Sequence, residues 1–174
     1  GLEALKANTI GTNNSAFGVY ALIANTTGTN NVAVGYGSLR NNTTSNNVAV
    51  GFNALYTNTT GYGGTAVGHN ALVSNIWGGY NTAVGFQALY YNTTASRNTA
   101  VGAWLDGVIE GPFALLTSGA YNSAFGGGAL RSLTTGNYNV AIGNQSLQSN
   151  TTASNNTAVG YQAGYSQTTG YFNT

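Results

Sequence analysis

Carboxylates are the first side chains to consider for chemistry, and the chain holds only three of them. Two, Asp106 and Glu110, fall in a ten-residue stretch that also contains Trp104 and the only proline. Hard cations prefer oxygen ligands, but two carboxylates without further oxygen ligands are too few for a metal site. We interpret residues 103–112 as an inserted loop that packs on the molecule. The alternative is a recognition loop that uses Trp104, Asp106 and Glu110.

Residue arrangements typical of catalysis are missing from the sequence. The single histidine, His69, has no Cys, Asp or Glu beside it at the spacing of metal ligands. No serine lies in a Gly-x-Ser-x-Gly turn, the usual setting of a hydrolase nucleophile. The glycine clusters at 61–64 and 126–128 lack the Lys-Ser/Thr that a phosphate-binding loop requires. We therefore expect a protein that is not an enzyme and has no metal and no cofactor.

Asn-Thr-Thr, an acceptor sequence for N-linked glycans, is a recurring motif of this chain. It begins at Asn25, Asn42, Asn58, Asn92 and Asn150. Asn and Thr are also favoured in turns, so turn formation alone explains the motif. Glycosylation of these five asparagines is the alternative hypothesis.

Charge is nearly absent from the sequence. Four basic and three acidic residues give a formal net charge of +1, which is too little to neutralise a run of phosphates. Nucleic acid and an anionic membrane are therefore poor candidates for partners. Cysteine and methionine, the most oxidisable residues, are both missing. This composition favours a location outside the cell.

A five-residue phrase, Asn-(Thr/Ser/Val)-Ala-(Val/Phe/Ile)-Gly, recurs throughout the chain. It ends at Gly18, Gly35, Gly51, Gly68, Gly85, Gly102, Gly126, Gly143 and Gly160, at intervals of 17 residues except for one of 16 and one of 24. One unit of this length cannot bury its own apolar face and must stack on its neighbours. We expect a single all-β domain over residues 1–174. It would be a parallel β-solenoid (β-roll) of about ten 17-residue coils, forming a segment of a longer repeat protein.

Each coil is expected to hold two short strands, as in residues 81–84 and 88–91, where small and large side chains alternate. Gly, Asn and Thr between the apolar residues disfavour a helix. Two columns are predicted to fill the core, one just before the phrase glycine and one four residues after it. They comprise Val34, Val50, Val67, Val84, Val101, Ile142 and Val159 in the first column, and Leu22, Leu39, Leu55, Leu72, Leu89, Leu130 and Leu147 in the second.

Small and polar residues form further columns. The phrase glycines are predicted to close turns. The phrase alanines should be pressed against another sheet, either across the same coil or in a neighbouring subunit. Asparagines four residues before the glycine should stack amide on amide, as identical segments do at strand spacing. They are Asn14, Asn31, Asn47, Asn81, Asn98, Asn122, Asn139 and Asn156, with Gly64 as the exception.

Aromatic residues define two stripes along the rod. One follows the phrase glycine directly (Tyr36, Phe52, Phe86 and Tyr161, with His69 in the same row), and the other lies five residues after it (Tyr56, Tyr90 and Tyr165). We expect these rings to stack on one another within the chain. Contact with sugar rings or with a second subunit is the alternative.

The repeated phrase resembles known surface-protein repeats. Asn81-Thr-Ala-Val-Gly-Phe-Gln-Ala-Leu-Tyr90 and Asn156-Thr-Ala-Val-Gly-Tyr-Gln-Ala-Gly164 resemble the head repeats of trimeric autotransporter adhesins, whose motif is Asn-Ser-Val-Ala-Ile-Gly. They also resemble repeats in tail-fibre-like surface proteins of phages and bacteria. The resemblance implies a parallel β-roll with three chains packed around an axis. It also implies display outside the cell, on a cell surface or a virion surface, as an adhesive head or shaft.

The expected function is therefore structural and adhesive. The chain would be a β-solenoid segment of an extracellular fibre, filament, shaft or adhesin head that associates with itself as a homotrimer or filament. Surface glycans or a host receptor would be further partners, with no nucleic acid and no membrane contact by this segment. Two alternatives stay open. One is an ice-binding solenoid, although the row expected to face outward mixes Ser, Val and Thr. The other is the scaffold part of a glycan-binding phage tail fibre.

Overall fold

The computed structural model describes residues 1–103 and 111–173. These residues form one parallel sheet of nine three-residue strands that pair in chain order. The strands are β1 (Ser15–Phe17), β2 (Val32–Val34), β3 (Val48–Val50), β4 (Thr65–Val67), β5 (Thr82–Val84), β6 (Thr99–Val101), β7 (Ser123–Phe125), β8 (Val140–Ile142) and β9 (Thr157–Val159). Among the described residues there is no helix with the length and apolar character needed to cross a membrane.

Equivalent positions of successive repeats lie side by side. Thr82 pairs with Thr99, and Val84 pairs with Val101. The predicted parallel β-solenoid with coils of about 17 residues is confirmed. Nine strands delimit eight strand-to-strand coils, slightly fewer than the ten expected from the sequence. The long repeat keeps the register, because Ala100 still pairs with Ala124 across the 24-residue interval.

The phrase glycines close the turn that follows each strand, as predicted. All nine have φ between 127° and 145°, a backbone conformation that residues with a side chain rarely adopt. A Cβ at Gly51 would lie 2.5 Å from the carbonyl oxygen of Gly68 in the next coil. Glycine is therefore required both for the backbone angle and for the close approach of successive coils.

Only one strand per coil is present among the described residues. The segment predicted as the second strand forms consecutive turns, and within residues 86–91 both Gln87 and Leu89 have φ of 55°. In the equivalent segment of the preceding coil, backbone amides alternate between two kinds of hydrogen-bond acceptor. The Ala71 amide bonds to Gly68 in its own coil at 3.3 Å, whereas the Leu72 amide bonds to Ala88 in the next coil at 3.0 Å. The small-large pair predicted a strand, but Ala88 and Leu89 are both fully buried, so consecutive side chains do not point to opposite faces as they would in a strand.

The core lies between the sheet and the wall of turns. All seven predicted core leucines are buried, with at most 1% of their surface exposed. They form one cluster with the phrase alanines of β2 to β8, and Ala16 and Ala158 pack against it partly buried. The alanines of β2 to β8 are fully buried within a single chain. Their tight packing is therefore across the same coil rather than against a neighbouring subunit.

The large residues that precede the phrase glycine face outward, so the prediction that they fill the core is wrong. Val34, Val67, Ile142 and Val159 are between 36% and 66% exposed, and Val50, Val84 and Val101 are half-buried. Neighbouring residues of a strand point to opposite faces, so the middle alanine of each three-residue strand points inward and its neighbours point outward. The leucine opposite already fills the narrow interior, which leaves room only for a small residue on the sheet side.

Candidate functional site

The predicted asparagine ladder runs along the inside of the sheet and is confirmed. The side-chain oxygen of Asn81 accepts the backbone N–H of Asn98 at 3.0 Å. The oxygen of Asn98 in turn accepts the N–H of Asn122 at 3.0 Å. The Asn81 amide also donates to the Ala95 carbonyl on the opposite side of the coil, at 2.7 Å. Each of these asparagines thus bridges successive coils and spans the interior, which is a structural role.

The five asparagines considered for glycosylation lie inside the solenoid, and three of them, Asn42, Asn58 and Asn92, belong with Asn75 to a second ladder. Asn25, Asn42, Asn58, Asn92 and Asn150 are all fully buried. The Asn58 amide donates to the side-chain oxygen of Asn42 at 2.7 Å and to the Gly61 carbonyl at 2.7 Å. A glycan needs this same nitrogen and open space around it, so attachment is incompatible with the fold. The Asn-Thr-Thr motif instead serves the turn and the interior ladder.

Part of the predicted aromatic stripe after the phrase glycine forms a stacked row. Tyr36, Phe52, His69 and Phe86 lie with successive ring centroids 5.1–5.3 Å apart and interplanar angles of 11–18°. His69 is therefore a ring in this row, with Phe52 on one face and Phe86 on the other. The described residues contain no group of three His, Cys, Asp or Glu side chains that would suit a metal ion.

A row of aromatic and cationic side chains on the opposite corner of the sheet is the main feature that sequence reasoning missed. This Tyr–Arg row consists of Tyr62, Tyr80, Arg97, Tyr121 and Tyr138. The Arg97 guanidinium carbon lies 5.6 Å from the Tyr80 ring centroid and 5.3 Å from that of Tyr121. Tyr121 stacks on Tyr138 at 5.1 Å and 9°. The detectable signal was position, because Tyr80, Arg97, Tyr121 and Tyr138 all lie five residues before a phrase glycine.

The start of the Tyr–Arg row is shaped by Gly63. Tyr62 and Tyr80 meet edge to face at 4.9 Å, and a Cβ at Gly63 would lie 2.9 Å from the Tyr80 ring. Because Gly63 has no side chain, the Tyr80 ring can pack directly against its backbone. A hydrogen bond with Tyr62 is the main cause that raises the pKa of Tyr80 above its ordinary value of 10.0. Tyr80 therefore keeps its phenol proton to a higher pH than a free tyrosine does.

A second tyrosine–arginine cluster lies near the N-terminal end of the solenoid. The Arg40 guanidinium carbon is 5.5 Å from the Tyr20 ring and 5.4 Å from the Tyr56 ring. The Arg40 Nη1 also donates a hydrogen bond to the Tyr56 hydroxyl. Elsewhere in the described part of the chain, Lys6 and Glu3 form an exposed ion pair at 2.8 Å, and the hydrogen bond with Glu3 raises the pKa of Lys6.

The outer face of the sheet carries a continuous apolar row, which we call the outer valine row. It consists of Phe17, Val34, Val50, Val67, Val84, Val101, Phe125, Ile142 and Val159. Each inner member is flanked by its equivalents one coil away, so only part of its surface meets solvent. Two positions earlier, a parallel row mixes Ser, Val and Thr, as predicted for the outward side.

The residues considered for a recognition loop, Trp104, Asp106 and Glu110, lie outside the described residues. Of the predicted inserted loop 103–112, the structure describes Ala103, Gly111 and Pro112. The Pro112 carbonyl accepts the amide of Leu89 at 3.1 Å, so the regular wall of turns resumes there.

Comparisons with protein-family models, with curated proteins and with solved structures found no match.

Proposed function

We propose that this chain is a non-enzymatic structural and adhesive surface protein. It would form a β-solenoid segment of an extracellular fibre, filament, shaft or adhesin head, on a cell or virion surface. Copies associate through the outer valine row, as a homotrimer or along a filament. The proposal joins the resemblance of the repeated phrase to adhesin heads with the arrangement of the outer face of the sheet.

The outer valine row is the observation that carries the proposal. Single exposed apolar residues are common on soluble proteins, whereas contiguous apolar patches mark interaction surfaces. Here the apolar side chains form an unbroken row over all nine strands, and Ile142 is still 41% exposed in the isolated chain. Such a row favours a partner with the same coil spacing, and a second copy of the chain has that spacing.

The lack of charge near the outer valine row also favours self-association. Like charges repel across an interface between identical copies, but each outer valine row is flanked by Ser, Val and Thr rather than by charged residues. A formal net charge of +1 gives little long-range repulsion. Copies can therefore approach face to face without placing like charges in contact.

Sedimentation velocity of the wild-type chain and of Val84→Lys tests this proposal. We expect a concentration-dependent oligomer for the wild type. The substituted chain should shift towards monomer, because a lysine in the middle of the outer valine row would have to be buried at the interface. Circular dichroism should show that the variant keeps the wild-type β signal, since the ammonium group reaches solvent in the monomer.

Thr60→Lys is the matched control, because Thr60 is an exposed residue of the far turn. It adds the same charge away from the outer valine row and should leave the oligomer unchanged. A wild-type chain that stays monomeric at high concentration contradicts self-association. Equal dissociation by both substitutions would place the interface elsewhere.

A further inference from the structure

The residue types of the Tyr–Arg row are not those that its backbone favours. Tyr80, Arg97, Tyr121 and Tyr138 have φ between 56° and 60°, a left-handed conformation in which Asn is strongly preferred among residues with a side chain. Other coils use Asn at this position, and Asn13 and Asn30 bond to each other there at 3.2 Å. Folding alone is therefore served by asparagine, so the tyrosines and the arginine point to a further role.

Stacking prepares the Arg97 side chain for binding. Rings of Tyr80 and Tyr121 lie against the guanidinium on either side, which limits its rotamers before any ligand arrives and lowers the entropy lost on binding. A stacked guanidinium still presents the N–H groups along its edge, in the fork geometry that matches a carboxylate.

The edge of Arg97 is not used by the protein itself. Its side chain is exposed, and among the described residues it makes no hydrogen bond or ion pair. Arg40 differs, because its Nη1 already donates to Tyr56 and its side chain is half-buried. The two tyrosine–arginine clusters are thus alike in stacking, and only Arg97 leaves its donors open to a ligand.

The surroundings of Arg97 define the class of ligand. A polyanion requires a cluster of basic residues, whereas Arg97 is the one cation of its row. A suitable ligand therefore carries sparse negative charge. Tyrosine rings and hydroxyls at steps of about 5 Å suit a ligand that repeats and that combines C–H surface with hydroxyl groups. Tyr138, the most exposed tyrosine of the row at 58%, extends this surface beyond Tyr121.

We propose that the Tyr–Arg row binds a carboxylate-bearing saccharide, with the carboxylate on the edge of the Arg97 guanidinium and the sugar residues along Tyr121 and Tyr138. This inference rests on the proposed function, since it names the ligand class of an adhesive surface. Binding itself does not depend on self-association, because the Tyr–Arg row and the outer valine row are different surfaces.

Titration of the chain with a tetrasaccharide that carries a single glucuronic acid residue, followed by calorimetry, tests the proposal. The wild type should bind the acid form, and a methyl-esterified tetrasaccharide should bind at least about tenfold more weakly because it lacks the charge. Arg97→Gln should lose about tenfold or more in affinity. Arg97→Lys should lose severalfold, since an ammonium keeps the charge but lacks the planar fork.

Arg40→Gln is the matched control, because it removes the same charge from the other tyrosine–arginine cluster. It should leave the affinity unchanged, and the melting temperatures of all variants should show that they are folded. No binding by the wild type, equal affinity of Arg97→Gln, equal loss in Arg40→Gln, or equal affinity for a glutamate peptide would each overturn the proposal. Sedimentation of the same samples reports self-association separately, so failure of either proposal is recognised independently of the other.

Discussion

At the residue scale, asparagine side chains supply many of the hydrogen bonds inside the solenoid. In a stacked coil, an asparagine side chain can donate to one coil and accept from the next, so a buried amide is satisfied by its own repeats. Asn75 shows the full pattern: its amide donates to Asn58 at 2.8 Å and to the Gly78 carbonyl at 2.9 Å, and its oxygen accepts from Asn92 at 2.6 Å. The ladder stops where Leu116 takes the equivalent place, and the Asn92 oxygen accepts no hydrogen bond within the described residues.

Asn75→Ala should therefore lower the free energy of unfolding by about 3 kcal/mol or more. The substitution removes three hydrogen bonds and leaves buried polar groups of two coils without a partner, each at a cost of roughly 1–3 kcal/mol. Urea denaturation followed by circular dichroism measures the loss. Ser74→Ala is the control, because this neighbouring side chain is half-buried, and its change should be within about 0.5 kcal/mol. Equal stability of the two variants would show that the ladder contributes little.

At the residue scale, some of the buried and exposed rows can be predicted from the sequence and others cannot. Repetition at a fixed period predicted the ladder at the inner edge of the sheet, because equivalent residues must stack. The five Asn-Thr-Thr asparagines were open to two interpretations, since a turn motif and a glycan acceptor share the same letters. Only burial distinguishes them. The Tyr–Arg row is not evident as a motif, because Tyr80, Arg97, Tyr121 and Tyr138 occupy a position that holds asparagine in other coils.

The wall of turns is the distinctive element of each coil. Leu72 is fully buried with φ of 52°, whereas Leu133 is also fully buried in this wall but outside the left-handed region. Leucine tolerates the left-handed conformation at a cost of roughly 1–2 kcal/mol. Burial of the side chain and the inter-coil hydrogen bond of its amide offset that cost.

Leu72→Ile should be more destabilising than Leu133→Ile by about 1–2 kcal/mol. Both replacements keep the volume, so each has a packing cost below about 1.5 kcal/mol. A β-branched residue at positive φ adds backbone strain that only position 72 imposes. Thermal or urea denaturation of the two variants gives the comparison. If Leu133→Ile is equally or more destabilising, the left-handed conformation at Leu72 is contradicted.

The element scale also shows where a sequence pattern is ambiguous. Alternation in β5 separates Ala83 from its neighbours, but the pattern alone leaves open which side is inside. Hydrophobicity favoured the valines for the core. The space in the interior instead places the alanines inside, because the leucine of the opposite wall leaves room only for alanine on the sheet side. Such a choice depends on the distance between two walls, which no single segment of sequence contains.

Periodicity determines the properties of the whole molecule. Because the nine strands are in register, equivalent residues of successive coils form rows with a spacing of about 4.8 Å. A small surface feature of one coil is therefore repeated along the solenoid and becomes an extended surface. The inner rows hold the fold together, the outer valine row is the proposed contact between copies, and the Tyr–Arg row is the proposed contact with ligand. The lack of charge along the outer valine row should make self-association depend little on salt, whereas the contact of a carboxylate with exposed Arg97 should weaken as the salt concentration rises.

Thiol labelling of single-cysteine variants tests the central claim most directly, because the natural chain has no cysteine. We expect Ala83→Cys to react only on unfolding. Val84→Cys should react rapidly in dilute native protein and become protected as the concentration rises and copies associate through the outer valine row. Equal labelling of the two variants in the native state would contradict the inside-outside assignment of the sheet. Labelling of Val84→Cys that is independent of concentration would contradict self-association through this face.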